Sequence, residues 1–231
     1  MANPKDIKIN GSDAKQFDPD TANGAVIIIA YGSDGLDKPW DETILGLADA
    51  LSGKGFLCLI PDYLKSDYRE RRDLLHQIPA FRPAWEDVIS DTINYAAAQP
   101  TIEAGRIGLL GFSLGGYLCL RVRAKAKVAV EFFAPHLDEE SARGRLTHAQ
   151  IHHGCADGAK GCAFLSAEAI AQMLRAEGTD TKLWPYENAG HGFIGPTGVD
   201  PNLGLGGTDE GNTKARFESK MRTIEFFEAN L

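Results

Sequence analysis

Arg106–Gly116 reads RIGLLGFSLGG, and the rest of the chain is best understood outward from it. A short apolar strand runs into a serine bracketed by glycines, and a helical segment follows. Gly111-Phe112-Ser113-Leu114-Gly115 spells G-x-S-x-G, the pattern of a nucleophile elbow. A serine lifted above a sheet requires a very tight strand-to-helix turn, with its own backbone strained. The residues two before and two after it then lie where strand and helix nearly touch, and a Cβ there would clash. Glycine at 111 and 115 removes that clash, and Gly116 gives the helix start further room. The helix N-terminus aims free N–H groups at any charge developing beside Ser113. Over five residues an ordinary glycine turn looks the same, so the flanking segments must decide.

Upstream, Asp6–Ile9 reads as an edge strand, followed by a polar stretch rich in turn residues. Ala25–Ala30 is a continuous β-branched run, suited to a strand buried on both faces of a parallel sheet. It ends in the glycine-punctuated loop Tyr31-Gly32-Ser33-Asp34-Gly35. Pro39–Leu51 has helical spacing, and Phe56–Ile60 is a second buried strand closed by Pro61-Asp62. Leu64–Arg82 is charged and less regular, centred on Tyr68-Arg69-Glu70-Arg71-Arg72; it reads as a solvated face that could help to roof a site. Pro83–Ala98 reads as a helix with proline at its start.

Downstream, Leu114–Ala124 continues the elbow as a helix, and Val128–Phe133 and His148–His153 are strands. Phe164–Glu177 is a helix, Thr181–Tyr186 a strand, and Thr213–Asn230 a terminal helix. Gly192–Asn212, rich in Gly and Pro, is a surface loop and a candidate lid. Strands alternate with helices, so the expected fold class is α/β, with a mostly parallel central sheet flanked by helices. No composition break or internal repeat divides the chain, and one domain over residues 1–231 is expected.

Composition excludes several functions. The formal charge of −8 and the lack of a Lys/Arg run argue against binding a phosphate backbone, so no nucleic-acid partner is expected. The polar N-terminus MANPKDIKINGSDAKQFDPD has no apolar signal segment, and no run approaches a membrane span. A cytoplasmic protein with no membrane partner is the expectation. Cys58, Cys119, Cys155 and Cys162 follow no metal spacing, so no metal is expected. Cys155 and Cys162 flank a loop that a disulfide could close, though reduced thiols suit a cytosolic chain better.

Serine needs a base to take its proton, usually a histidine oriented by a carboxylate. On an elbow the chain order is Ser, acid, His. The last histidine, His191, lies in Ala189-Gly190-His191-Gly192-Phe193, directly after the final strand, and is the expected base. A lone loop histidine is usually just solvated, but flanking glycines let this loop carry the ring toward Ser113. Asp157, in the turn Gly154-Cys155-Ala156-Asp157-Gly158, is the expected acid, with Glu131, Asp138 and Glu187 as alternatives. An aspartate there also suits turn geometry alone. His152 and His153, within a strand, read as structural, and His76, His136 and His148 have no comparable setting. The oxyanion donors are expected to be the backbone N–H groups of Leu114 and of Ser33, with Gly32 or Asp34 adjacent to the latter.

These residues resemble the dienelactone hydrolase family of α/β-hydrolases. The likeness covers most of the chain: IIIAYGSDGL, Pro61-Asp62-Tyr63, the elbow GFSLGG, the acid turn HGCADG and the loop GHGF. It implies an α/β-hydrolase fold and hydrolysis of a small ester or lactone through an acyl-enzyme, without metal or organic cofactor. Two departures matter. Well-known members carry cysteine where Ser113 stands, which favours a serine esterase mechanism over dienelactone itself as substrate. They also hold a substrate carboxylate with an arginine near the histidine loop, where this chain has Phe193-Ile194-Gly195. Arg82 is the candidate for the family's other carboxylate-binding arginine, and Tyr31, Trp40, Tyr63 and Phe193 are candidate pocket walls. Rival readings are a general carboxylesterase or thioesterase with the same triad, and a relative that binds a small molecule without turning it over.

Overall fold

The computed structural model describes residues 4–64, 74–136, 144–195 and 205–231. The Tyr68–Arg72 charge cluster, Asp138 and the middle of the glycine-rich loop after His191 lie outside these residues.

Among the described residues eight strands form one sheet in the order β1-β2-β4-β3-β5-β6-β7-β8. The strands are β1 (Lys5–Ile9), β2 (Ser12–Phe17), β3 (Val26–Ala30), β4 (Leu57–Pro61), β5 (Ile107–Phe112), β6 (Val128–Phe132), β7 (His148–Gly154) and β8 (Asp180–Tyr186). β3 to β8 run parallel, while β2 pairs antiparallel with both β1 and β4. Every residue of β3, β4, β5 and β6 is buried, as their near-continuous apolar sequence requires of strands covered on both faces.

Among the described residues five α-helices flank the sheet: α1 (Asp41–Ser52), α2 (Leu74–Ala97), α3 (Leu114–Arg121), α4 (Phe164–Ala176) and α5 (Asp209–Asn230). Two glycines of β5 reveal both covered faces. A Cβ at Gly108 would stand 2.8 Å from the Phe227 ring of α5, whereas one at Gly111 would run into Gly115 and Gly116 of α3. Positions 108 and 111 point to opposite sides of a pleated strand, so α5 and α3 lie on opposite faces. The parallel α/β architecture read from the sequence is the architecture observed.

Two local expectations are corrected. Ser12–Phe17, read as a polar stretch, is a strand: Ser12, Ala14 and Phe17 turn inward while Asp13 stays exposed. Its signal was Asn10-Gly11, a two-residue turn with φ of 47° and 83° at both positions, which suits a tight hairpin. The second helix begins at Leu74 rather than at Pro83, and both Pro79 and Pro83 sit inside it. All four cysteines are free thiols. No helix among the described residues is long and apolar enough to cross a membrane.

Candidate active site

The elbow sits at the C-terminal end of β5, in the middle of the sheet. Ser113 has φ 51° and ψ −118°, a left-handed conformation that a residue bearing a Cβ adopts only when its surroundings force it. The surroundings are visible. A Cβ at Gly111 would stand 2.6 Å from the Gly115 carbonyl oxygen, and one at Gly115 would collide with the carbonyls of Ala30 and Tyr31. The Ser113 N–H donates to the Phe132 carbonyl at 2.8 Å, which anchors the turn to β6.

His191 arrives from the loop after β8. Its N–H donates to the Leu205 carbonyl at 2.6 Å, and the Gly190 N–H donates to Asn212 Oδ1 at 2.8 Å. Its Nδ1 lies 2.8 Å from Asp157 Oδ2 and its Nε2 lies 3.0 Å from Ser113 Oγ. An ionised carboxylate can only accept, so Nδ1 carries the proton; Nε2 then accepts from the serine hydroxyl. The chain Ser113–His191–Asp157 is thus hydrogen-bonded from end to end.

Asp157 follows β7, and its side chain is wholly buried. Burial pushes its carboxyl up, but hydrogen bonds from His153 and His191 and from the Ala159 N–H outweigh that and hold it below the usual carboxylate range. Of the alternative acids, Glu131 is buried on β6 and accepts from the Ala134 N–H at 2.9 Å. Glu187 is exposed and faces Cys155. Neither bonds to His191.

A cavity of about 920 Å³ opens over Ser113 and His191. Ser33 and Leu114 both line it, and a Cβ on Gly32 would stand 3.5 Å from Ser113 Cβ, so the loop after β3 adjoins the elbow. Among the described residues neither the Ser33 nor the Leu114 N–H donates to another protein group. Of the expected walls, Trp40 lines the cavity. The other aromatic candidates do not. Tyr31 and Tyr63 are buried and stacked at 4.8 Å, with the Tyr31 hydroxyl on Asp62 and the Tyr63 hydroxyl on the Tyr31 carbonyl. Phe193 is buried against Phe133 at 5.3 Å, beneath the histidine loop. Arg82 reaches Tyr117 and Glu86 instead of the cavity.

Phe133, Ile78, Lys38, Lys160 and Ile194 line the cavity without having been singled out in the sequence. For Phe133 a signal existed: it follows β6, the neighbour of β5, at the strand ends where sites in parallel sheets form. His153, read as structural, bonds to Asp157. Among the described residues no three His, Cys, Asp or Glu side chains are grouped to hold a metal ion.

Comparison with known proteins accords with this architecture. The dienelactone hydrolase family profile matches residues 13–231. A carboxymethylenebutenolidase from Pseudomonas putida is 30% identical over 193 residues, covering 76% of this chain and 77% of that enzyme. Among solved structures, a dienelactone hydrolase-like promiscuous phosphotriesterase from metagenomic libraries superposes with a TM-score of 0.76 at 17% identity, over 100% of this chain and 98% of that one. A thermophilic esterase from Thermogutta terrifontis superposes at 0.65 with 17% identity, over 98% and 91%. The two structures share the fold, and the family profile and the carboxymethylenebutenolidase go further: the chain belongs to the dienelactone hydrolase family.

Proposed function

We propose that the chain is a serine hydrolase that opens a small ester or lactone through an acyl-enzyme, with Ser113 as nucleophile, His191 as base and Asp157 as its orienting acid. The observation that carries this reading is the continuous pair of hydrogen bonds, 3.0 Å from Ser113 to His191 and 2.8 Å from His191 to Asp157. His191 Nε2 takes the hydroxyl proton as Ser113 Oγ attacks the carbonyl carbon. The oxygen gains the negative charge, and the N–H groups of Leu114 and Ser33 donate to it. As the carbonyl re-forms, the C–O bond breaks and the imidazolium gives its proton to the departing alkoxide. With a lactone the freed alcohol stays tethered to the acyl group. Water then repeats the sequence on the acyl-enzyme and releases the acid and free Ser113.

A fluorophosphonate probe tests this directly. Labelling of the wild type that vanishes in Ser113→Ala, together with at least about a thousandfold loss of p-nitrophenyl acetate hydrolysis, is the expected result. A folded wild type that neither labels nor hydrolyses would overturn it and favour ligand binding without turnover. A panel of lactones, oxygen esters and thioesters then separates the substrate classes.

A further inference from the structure

The mechanism above leaves a second buried imidazole without a task. His153 is the second-last residue of β7, four residues before Asp157, and has no exposed surface. Its Nε2 stands 3.2 Å from Asp157 Oδ2 and 2.7 Å from the Cys162 carbonyl oxygen. Both neighbours are acceptors, so this nitrogen must carry a hydrogen whatever the charge on the ring. Asp157 Oδ2 therefore faces two imidazole donors, His191 and His153, while Oδ1 accepts from the Ala159 N–H at 2.9 Å.

A second buried carboxylate, Glu131, also acts on His153. Its Nδ1 and Glu131 Oε1 are both buried and have no hydrogen-bond partner among the described residues. The two residues are coupled electrostatically, each favouring the charged form of the other. Burial raises Glu131 to about 7. For His153, burial acts downward, but Asp157, Glu131 and the Cys162 carbonyl together raise it. The remaining neighbours add no charge near neutrality. Cys162 is pushed up to about 12 by burial, and Phe164 of α4 meets the imidazole edge-on at 6.0 Å.

We propose that His153 is a positioning residue of the catalytic site, whose Nε2–H shares the Asp157 oxygen that binds His191 and thereby sets both the carboxylate's orientation and the basicity of His191. This rests on the triad reading above. A carboxylate oxygen that accepts a second hydrogen bond offers less negative charge to an imidazolium on its other side. Removing that donor lets His191 hold its proton to higher pH and leaves the carboxylate less firmly placed.

The test is the pH profile of kcat/KM with p-nitrophenyl acetate, alongside thermal unfolding, for wild type, His153→Leu and His153→Gln. The leucine variant should move the acid limb up by about half to one pH unit. It should also lower the plateau by about tenfold or more. The glutamine amide reaches the position of Nε2 and should bring both back toward wild type. If His153→Leu does not fold, His153→Asn takes its place, because its amide matches Nδ1 and cannot reach Asp157 in the same way. An acid limb unchanged in the donor-less variant, with only the melting temperature lowered, would overturn the proposal and leave His153 a core residue. Hydrolysis surviving in Ser113→Ala or His191→Ala would instead overturn the triad itself, so the two failures are distinguishable.

Discussion

The backbone N–H of Ala156 donates to the carbonyl of Ala189 at 2.9 Å, tying the turn that carries Asp157 to the loop that carries His191. The same Ala189 oxygen leaves no room for a Cβ on Gly154. Asp157 and His191 are thus held by loops whose backbones touch. Gly154→Ala should force them apart, lowering kcat/KM by about tenfold or more and stability by about 1–3 kcal/mol. Steady-state kinetics and urea unfolding measure the two effects. Gly46→Ala in α1, where the new methyl meets nothing within 4 Å, is the contrast. It should leave activity alone and raise stability by about 0.5–1 kcal/mol.

Trp40 supports the histidine loop from the cavity side. Its indole N–H donates to Asp34 Oδ2 at 3.0 Å, and its ring occupies the space that a Cβ on Gly192 or Gly195 would need. Trp40→Ala removes a wall and loosens the loop, so KM should rise and kcat fall, about tenfold together in kcat/KM. Trp40→Phe should recover most of the loss. Ester kinetics on the two variants check this, and an unaltered Trp40→Ala would remove the residue from the pocket.

Two buried groups pull stability in opposite directions with pH. Burial, aided by the charge of Arg222, lowers His152 to about 3. Its contribution is complete above the unfolded value of about 6.5 and is lost as pH falls toward 3. Glu131 is raised by burial to about 7 from 4.5, so its contribution is present below 4.5 and is lost as pH rises through 7. Glu131→Gln keeps an acceptor for the Ala134 N–H and removes the titration. Its melting temperature should exceed that of wild type at pH 8 and match it near pH 4. Thermal unfolding at both pH values decides; an equal offset at each would exclude the linkage.

Arg123 is a stability device away from the chemistry. It is 1% exposed and donates to both oxygens of Glu177 at 2.7 Å, to the Leu120 carbonyl at 2.6 Å and to the Gly144 carbonyl at 2.9 Å. Arg123→Leu strands two carbonyls and a carboxylate, at a cost of about 2–4 kcal/mol. Lysine cannot reproduce the planar fork and should rescue little. Chemical denaturation should register the loss while kcat for the folded variant stays at the wild-type value.

Much of the molecule was legible in one dimension because the signals are local. Val26–Ala30 and Ile107–Phe112 announce strands buried on both faces by their own composition. Gly111 and Gly115 announce the elbow because only a missing Cβ allows β5, α3 and β3 to approach so closely. The chain order of Ser113, Asp157 and His191 follows from parallel strands, whose ends deliver their loops to one edge. What stayed hidden depends on neighbours distant in sequence. Tyr31 and Tyr63 look like pocket aromatics until β3 and β4 pair and stack them in the core. His152 and His153 are adjacent and chemically identical, yet the pleat of β7 sends them to opposite faces. One meets Tyr186 and Phe132, the other Asp157 and Cys162. Alternation within a strand is written in the sequence, but which face receives the carboxylate is settled by register and by the loops that close over each side.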